Sequence, residues 1–264
     1  MTTITTTHET VVASIRGHRA DVRFNRPDSL NAMSNLMMSD VVEVFGRLAD
    51  RGDVWCATLS GEGRAFCVGA DQKERRGMTH ADIRRRRQLA PQAFSAMRQF
   101  PHPVIAQVHG HALGGGFEMV LGCDFAIAAA DATLGLVETS RGTIPGGGGH
   151  RALIQLVGPA TARELIYTAR RFSGTEGQLL GIITEAPDAG QLESVVDGYV
   201  DRVLANSPVA VAQSKKVLRL SENASYEESL RIEAEHYERV LASSDRLEAL
   251  QSFREKRAPQ FTGE

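Results

Sequence analysis

The stretch HALGGGFEMVLG, which begins at His111, combines three glycines with one carboxylate, Glu118, ahead of an apolar run. Glycines just before a helix let the backbone turn sharply and approach a ligand closely, while the first N–H groups of the helix stay unpaired. Such a turn can bind an anion or a developing oxyanion. The glycines alone also fit a plain strand-to-helix turn. A charged Glu118 at the edge of a core, however, is costly unless something compensates for its lost hydration.

A second carboxylate, Glu138, follows 20 residues later in GLVETSRGTIPGGGG, again beside apolar residues and ahead of a glycine-rich helix entry. Two such carboxylates can divide the roles of general acid and general base if the fold brings them together. Burial and mutual repulsion would then raise the pKa of one of them toward neutrality. Taken singly, each glutamate is equally compatible with a helix-cap partner or a surface residue.

A third glycine-containing turn, AFCVGADQKERRG, runs from Ala65 to Gly77 and follows a predicted strand. Its backbone could supply one further N–H donor, and its cations Lys73, Arg75 and Arg76 could meet phosphate groups. Charged residues after a turn are nevertheless often a solvated face. The turn therefore supports a functional site only in combination with the two carboxylates.

Other reactive residues give weaker signals. His109 and His111 are more simply structural histidines, and the arginine run 84–87 is typical of a wet helix surface rather than of an RNA site. The absence of GxxxxGK[ST], of a strand leading into GxGxxG and of GxSxG argues against nucleotide hydrolysis, dinucleotide binding and serine hydrolysis. The three cysteines lack metal-ligand spacing and indicate reduced thiols, so we expect neither a metal site nor a disulfide framework.

The elements that must position these residues alternate along most of the chain. Apolar residues recur at helical spacing from Ser34 to Asp50, which predicts a helix. Strands are predicted at residues 11–15, 20–24, 54–61 and 103–110. From about Gln191 onward, helical patterns dominate. We therefore predict an α/β fold with a core domain over residues 1–190 and a helical region over residues 191–264.

Composition sets further bounds. The chain has 264 residues, 42% of them hydrophobic and 23% charged, which is ordinary for a globular protein with a sizeable core. A formal net charge of −2 gives no bulk attraction for nucleic acid. The longest apolar run, 119–130, falls short of the ~20 residues of a membrane span. MTTITTTHET lacks the segments of a signal peptide, so we interpret it as a frayed polar lead-in and expect a cytoplasmic location.

Five segments carry a recognisable combination of motifs: FNRPDSLNAMS, AFCVGAD, VHGHALGGGFE, GLVETSRGTIPGGGG and FREKRAPQF. With them the chain resembles the enoyl-CoA hydratase/isomerase (crotonase) superfamily over essentially its whole length. The resemblance implies a crotonase-like spiral of ββα turns, followed by a helical region that builds trimers, usually paired into hexamers. It also implies an acyl-CoA substrate, with coenzyme A as part of that substrate and no separate cofactor. No nucleic acid or membrane partner is expected.

The same resemblance assigns roles to individual residues. The backbone N–H groups of Val68, which replaces the usual alanine, and of Gly115 would form an oxyanion hole for a thioester carbonyl. Glu118 would activate water for attack at C3, and Glu138 would deliver a proton to C2. The positions assigned to CoA binding are Arg26 near the adenine end, Ala70, and the lysines Lys73 and Lys256 for the phosphates.

Within the superfamily the chain looks most like the methylglutaconyl-CoA hydratases, which implies a branched, carboxylate-bearing enoyl-CoA interconverted with 3-hydroxy-3-methylglutaryl-CoA. Ser140, Arg141 and His150 depart from that group, and Arg141 could pair with a substrate carboxylate or form a surface salt bridge. Double-bond isomerisation and a specialised dehydration stay open as alternatives. A non-catalytic or RNA-binding scaffold is disfavoured by the presence of both glutamates and by the lack of lysine in the helix 34–50.

Overall fold

The computed structural model describes residues 2–264, with Thr5 described by its backbone alone. The strands are β1 (Thr2–Thr5), β2 (Val11–Arg16), β3 (Arg19–Phe24), β4 (Cys56–Gly61), β5 (Val104–Val108), β6 (His111–Leu113), β7 (Phe125–Ala128), β8 (Thr133–Gly135) and β9 (Phe172–Ser173). The helices are α1 (Asn35–Ala49), α2 (Gln72–Arg75), α3 (His80–Gln99), α4 (Gly115–Gly122), α5 (Gly149–Tyr167), α6 (Gly174–Leu179), α7 (Leu192–Leu204), α8 (Pro208–Ser221), α9 (Tyr226–Leu241) and α10 (Ser244–Glu255). Short 3₁₀ turns lie at Pro27–Ser29, Glu138–Arg141 and Ala189–Gln191.

Two sheets organise the core. The larger sheet has the order β1-β2-β3-β4-β5-β7, antiparallel from β1 to β3 and parallel from β3 to β7. In the smaller sheet β8 lies between β6, with which it is parallel, and β9, with which it is antiparallel. Parallel strands need long crossover connections, and helices supply them here. The α/β class and the helical C-terminal region are therefore confirmed.

The N-terminus differs from the prediction. Residues Thr2–Thr5 are not frayed but pair with β2 in antiparallel register, Ile4 opposite Ala13. The reason is Ile4, which is only 4% exposed and joins the hydrophobic core. One buried isoleucine within a run of β-branched threonines is enough to place a strand at the sheet edge.

The predicted helix 34–50 is confirmed as α1. Ser34 caps it, because its hydroxyl accepts a hydrogen bond from Met37 N–H at 3.1 Å. Val41, Val44 and Leu48 lie on its buried face and anchor it to the core, each contributing about 1.5–3 kcal/mol of burial. The same helix is preceded by Met33, which contacts the candidate site.

The helical C-terminal region begins inside the core. Leu192, Val196 and Val200 of α7 are buried with the residues of the larger sheet. Helices α8 to α10 instead expose large apolar side chains, including Leu218 and Phe253. The boundary at residue 190 stays a prediction. Within residues 2–264, the helices are too short or too polar to span a bilayer.

Candidate functional site

The glycine turn ahead of α4 has a conformation that requires glycine. Gly114 joins β6 to α4 at φ 55° and ψ −129°, and its N–H donates to the Gly135 carbonyl of β8 at 2.8 Å. Gly116 packs so closely that a Cβ there would lie 2.1 Å from the Cys67 carbonyl oxygen. The helix therefore begins at Gly115, whose N–H is the first of its unpaired donors.

Glu118 lies one turn into α4 and is only 4% exposed. Its Oε1 accepts hydrogen bonds from the N–H groups of Gly147 (2.7 Å) and Gly149 (2.9 Å), and its Oε2 accepts one from Gly146 (3.2 Å). These donors form the turn that opens α5, where unpaired amides and the helix dipole favour a negative charge. The charge of Glu118 is thus compensated by backbone, which explains how the core tolerates it.

Glu138 has the opposite surroundings. It begins the 3₁₀ turn after β8, and within the described residues its buried Oε2 has no hydrogen-bond partner. Burial raises the pKa of the Glu138 carboxyl to about 7; a backbone hydrogen bond opposes that rise, and the Glu118 charge adds to it. The positive charges of Arg75 and Arg141 lower the same pKa by smaller amounts. Near neutral pH the site therefore pairs a charge-compensated carboxylate with a carboxyl that can still hold a proton.

Val68 does not offer the donor that was predicted. Its N–H donates to the Leu30 carbonyl at 3.2 Å, which fastens the loop 27–33 to the AFCVGAD turn. A backbone donor used inside the fold is not free to meet a ligand. The assignment of Val68 to the oxyanion hole is therefore wrong.

The free donor lies two residues later, at Ala70, which was predicted to bind CoA. Ala70 bridges Met33 in parallel, but the bridging hydrogen bonds use its neighbours: Met33 N–H donates to Gly69 O (2.8 Å), and Asp71 N–H donates to Met33 O (3.1 Å). Among residues 2–264 the Ala70 N–H finds no partner. In the same turn, Cys67 forms a parallel β-bridge with Ala112 of β6. Continuing that register by three residues places Ala70 opposite Gly115. The structure thus brings two unpaired N–H groups together.

The side chain of Arg26 is hydrogen-bonded within the fold, and its contact with adenine stays a prediction. Its Nη2 donates to Asp71 Oδ2 at 3.0 Å, and its Nη1 donates to the Ala32 carbonyl. Asp71 in turn caps α2 by accepting from the N–H groups of Lys73 and Glu74. The guanidinium of Arg26 is used within the fold, where it holds the FNRP loop against the turn that carries Ala70.

The two lysines assigned to phosphates are both exposed. Lys73 lies in α2, three residues along the chain from Ala70. Lys256 follows α10 in the left-handed conformation (φ 54°), and no hydrogen bond or ion pair in the described chain ties its side chain to the site. The phosphate-binding roles of Lys73 and Lys256 both stay predictions.

Sequence reasoning missed two contributors. The glycines 146–149 were recognised as a helix entry with free donors, but nothing in their spacing shows that their ligand is Glu118 of the same chain. Met33 was not singled out, although its backbone bridges Ala70 and its Sδ lies 3.1 Å from where a Cβ on Gly115 would be. Its position in FNRPDSLNAMS was the available signal, and only the fold gives that position a meaning.

Comparison with known proteins indicates the same family over nearly the whole chain. The profile of the family described as enoyl-CoA hydratase/isomerase matches residues 3–264. The enoyl-CoA hydratase domain-containing protein 2, mitochondrial, of Bos taurus is 37% identical over 252 residues, which cover 93% of this chain and 84% of that protein. The short-chain-enoyl-CoA hydratase of Clostridium acetobutylicum is 31% identical over 248 residues, which cover 94% of this chain and 95% of that protein.

A solved structure points the same way. An enoyl-CoA hydratase from Bacillus anthracis superposes with a TM-score of 0.94 at 35% identity, covering 97% of this chain and 100% of that chain. The crotonase-like fold predicted from the motifs is thereby confirmed. The chain belongs to the enoyl-CoA hydratase/isomerase family.

Proposed function

We propose that the protein is an enoyl-CoA hydratase, which adds water across the C2=C3 bond of an enoyl-CoA thioester and catalyses the reverse dehydration. The observation that carries this proposal is the contrast between the two carboxyls. Glu118 is charge-compensated by three backbone amides, whereas Glu138 is partly buried, with a buried unpaired oxygen and a raised pKa. Addition of water needs one group that accepts a proton and one that donates it.

The two unpaired amides supply the electrostatic part of the mechanism. A thioester carbonyl oxygen placed between the N–H groups of Ala70 and Gly115 would accept a hydrogen bond from each. These donors stabilise the negative charge that develops on that oxygen when a nucleophile adds at C3. Loss of one such donor typically lowers kcat by about 10²–10³-fold.

Proton transfer completes the reaction. Glu118 accepts a proton from water as the oxygen of that water bonds to C3, and the electrons of the C2=C3 bond move toward the thioester. Glu138 then delivers its proton to C2. The reaction leaves a proton on Glu118 and a charge on Glu138, so exchange of one proton between the two carboxyls restores the starting state.

Coenzyme A enters as part of the substrate, and this mechanism needs no further cofactor. Its phosphates require cations, and we assign one contact to Lys73, which is exposed and lies three residues along the chain from Ala70. We assign Lys256 a second phosphate contact on the basis of the sequence resemblance.

As the finer proposal, the acyl group carries a carboxylate, as in 3-methylglutaconyl-CoA. Arg141 supports this, because it is exposed, it has no ion-pair partner among the described residues, and its charge acts on Glu138. The surface salt bridge that would otherwise account for Arg141 is not formed within the described chain. An arginine near the reacting carbons would favour an acidic acyl chain over a neutral one.

We also propose that the chain assembles as a trimer or as a dimer of trimers through α8 to α10. These helices expose several large apolar side chains, of which Leu218 is 72% and Phe253 is 85% exposed. Burial of such side chains between copies would remove them from water.

A panel of substrates tests the proposed function. We expect the purified protein to hydrate crotonyl-CoA, with loss of absorbance of the conjugated thioester, and to act faster on 3-methylglutaconyl-CoA. An Arg141→Gln variant should lose that preference and keep its rate with crotonyl-CoA. Conversion of a 3-enoyl-CoA to its 2-enoyl isomer without any hydration would instead make the protein an isomerase. No turnover of any acyl-CoA would overturn the proposal.

Gly114 offers a test of the site geometry. A Cβ at this position would lie 2.9 Å from Glu138 Oε1, on a backbone with positive φ. Gly114→Ala should therefore displace the proton donor and lower kcat by about 10²-fold. Gly46→Ala in α1 is the matched control, because nothing lies within 4 Å of its added Cβ. Equal kcat values for the two variants with crotonyl-CoA would contradict this geometry.

A further inference from the structure

One member of the arginine run 84–87 does not face solvent. Arg86 is 6% exposed, whereas the side chain of its neighbour Arg85 is 81% exposed. The interpretation of the run as a wet surface is therefore wrong at this position. A buried guanidinium is costly to desolvate unless its hydrogen bonds are met, so its partners identify what it holds.

Arg86 contacts two other segments of the chain at once. Its Nη2 donates to the Met33 carbonyl at 2.6 Å, and its Nη1 donates to Glu74 Oε2 at 2.8 Å and to Asn35 Oδ1 at 3.0 Å. Glu74 also accepts from the Asn35 N–H, at 3.1 Å to each carboxylate oxygen. One side chain from α3 thus ties the start of α1 to α2.

The Met33 carbonyl is the contact that matters for the site. It accepts from Arg86 and also from the Asp71 N–H, while the Met33 N–H donates to Gly69 O. These two backbone bonds flank Ala70 and turn its N–H away from Met33. Met33 also lies against Gly115 through its sulfur. Its backbone and side chain therefore set the position of one donor relative to the other.

We propose that Arg86 is a positioning residue for the thioester site: it fixes Met33, and through Met33 it fixes the direction of the Ala70 N–H. This inference rests on the proposed function, because it assumes that the Ala70 and Gly115 amides receive the thioester carbonyl. Arg86 itself does not touch the substrate. Its loss should weaken polarisation of the carbonyl while the CoA-binding cations stay in place.

The test compares Arg86→Gln and Arg86→Lys with the exposed control Arg85→Gln. We expect Arg86→Gln to lower kcat for crotonyl-CoA by about 10–100-fold with little change in KM, because a misplaced donor affects the transition state more than binding. Arg86→Lys keeps the charge but loses the planar fork, so its kcat should lie between those of Arg86→Gln and the wild type. Arg85→Gln should match the wild type.

A spectroscopic readout separates positioning from a general packing defect. The absorption of 4-dimethylaminocinnamoyl-CoA moves to longer wavelength as its thioester carbonyl is polarised. We expect a large shift with the wild type and Arg85→Gln, a smaller one with Arg86→Lys and the smallest with Arg86→Gln, at probe saturation and below each melting temperature. Unchanged shifts in both Arg86 variants would overturn the inference.

Three possible outcomes separate failure of the Arg86 role from failure of the proposed function. If Arg86→Gln does not fold, Arg86→Lys decides alone: a reduced shift supports the positioning role, and a wild-type shift overturns it. If the wild type neither shifts the probe nor hydrates crotonyl-CoA, the proposed function fails and the inference that rests on it falls too. If the wild type does both and the Arg86 variants equal Arg85→Gln, only the role of Arg86 fails.

Discussion

Glu138→Gln is expected to remove most of the hydration rate and, in alkaline solution, to raise the stability of the fold. Gln cannot give a proton to C2, and loss of a general acid typically lowers kcat by about 10²–10⁴-fold. The rate with crotonyl-CoA at pH 7 measures this effect. Glu233→Gln on α9, which is exposed, is the matched control and should keep the full rate.

The stability effect of the same variant has a defined sign. The fold raises the pKa of Glu138 from the ordinary glutamate value of 4.5 to about 7, so the folded state binds more protons between these values and loses stability as the pH rises through them. Gln stays neutral and avoids the cost of ionising a partly buried carboxyl. At pH 8 we expect the free energy of unfolding of Glu138→Gln to exceed that of the wild type by about 1–2 kcal/mol, allowing for solvent screening of a partly exposed group. At pH 4 the difference should vanish.

A melting curve at each pH measures that difference at a fixed protein concentration. A lower melting temperature for Glu138→Gln at pH 8 would show that the ionised carboxyl is not a cost to the fold. The proton-donor role would then lose its structural basis, whatever the effect on kcat.

Glu118→Gln is expected to lose activity by a similar factor, about 10²–10⁴-fold, because water loses its proton acceptor. Its effect on stability should have the opposite sign. The two carboxylate oxygens accept from Gly146, Gly147 and Gly149, and an amide keeps only one acceptor. If that oxygen meets Gly147 and Gly149, the new NH₂ faces the Gly146 N–H, and two donors meet at a partly buried contact, at a cost of about 1 kcal/mol.

Thermal unfolding of the two Gln variants at pH 8 checks this contrast directly. We expect Glu118→Gln to melt below the wild type and Glu138→Gln above it. A rise in melting temperature for both variants would mean that the amides of the α5 entry do not hold Glu118 as a charged group.

The parts of the site with local signals could be predicted from sequence. Gly115 and Glu118 lie within one turn of a helix whose start is predicted by its glycines. Their positions relative to each other therefore depend on a few neighbouring residues. Glu138 was recognisable because a carboxylate between apolar residues and a glycine-rich turn loses hydration, and such a cost indicates a functional role. The helix 34–50 was predictable for the same kind of reason, since its apolar spacing and its Ser34 cap are local.

The rest depends on contacts between distant segments. Whether Val68 or Ala70 offers a free N–H is decided by Leu30, which takes the first donor, and by the parallel register that sets the second beside Gly115. Of the four arginines at 84–87, only Arg86 has a buried side chain, because its guanidinium binds the carbonyl of Met33, 53 positions away in the sequence. Periodicity reports which face of an element is buried, but it does not report which backbone groups remain unpaired.

The central claim is that one proton is held between Glu118 and Glu138, and the pH dependence of kcat/KM in both directions tests it most directly. Hydration consumes one water molecule and neither binds nor releases a proton overall. Hydration of crotonyl-CoA and dehydration of 3-hydroxybutyryl-CoA therefore need the same total number of protons on the two carboxyls. We predict that both kcat/KM values fall together as the pH rises above about 7, where that proton is lost, and that the residual activity of Glu138→Gln lacks this limb. Wild-type kcat/KM values that stay constant from about pH 6 to 9 would contradict the claim.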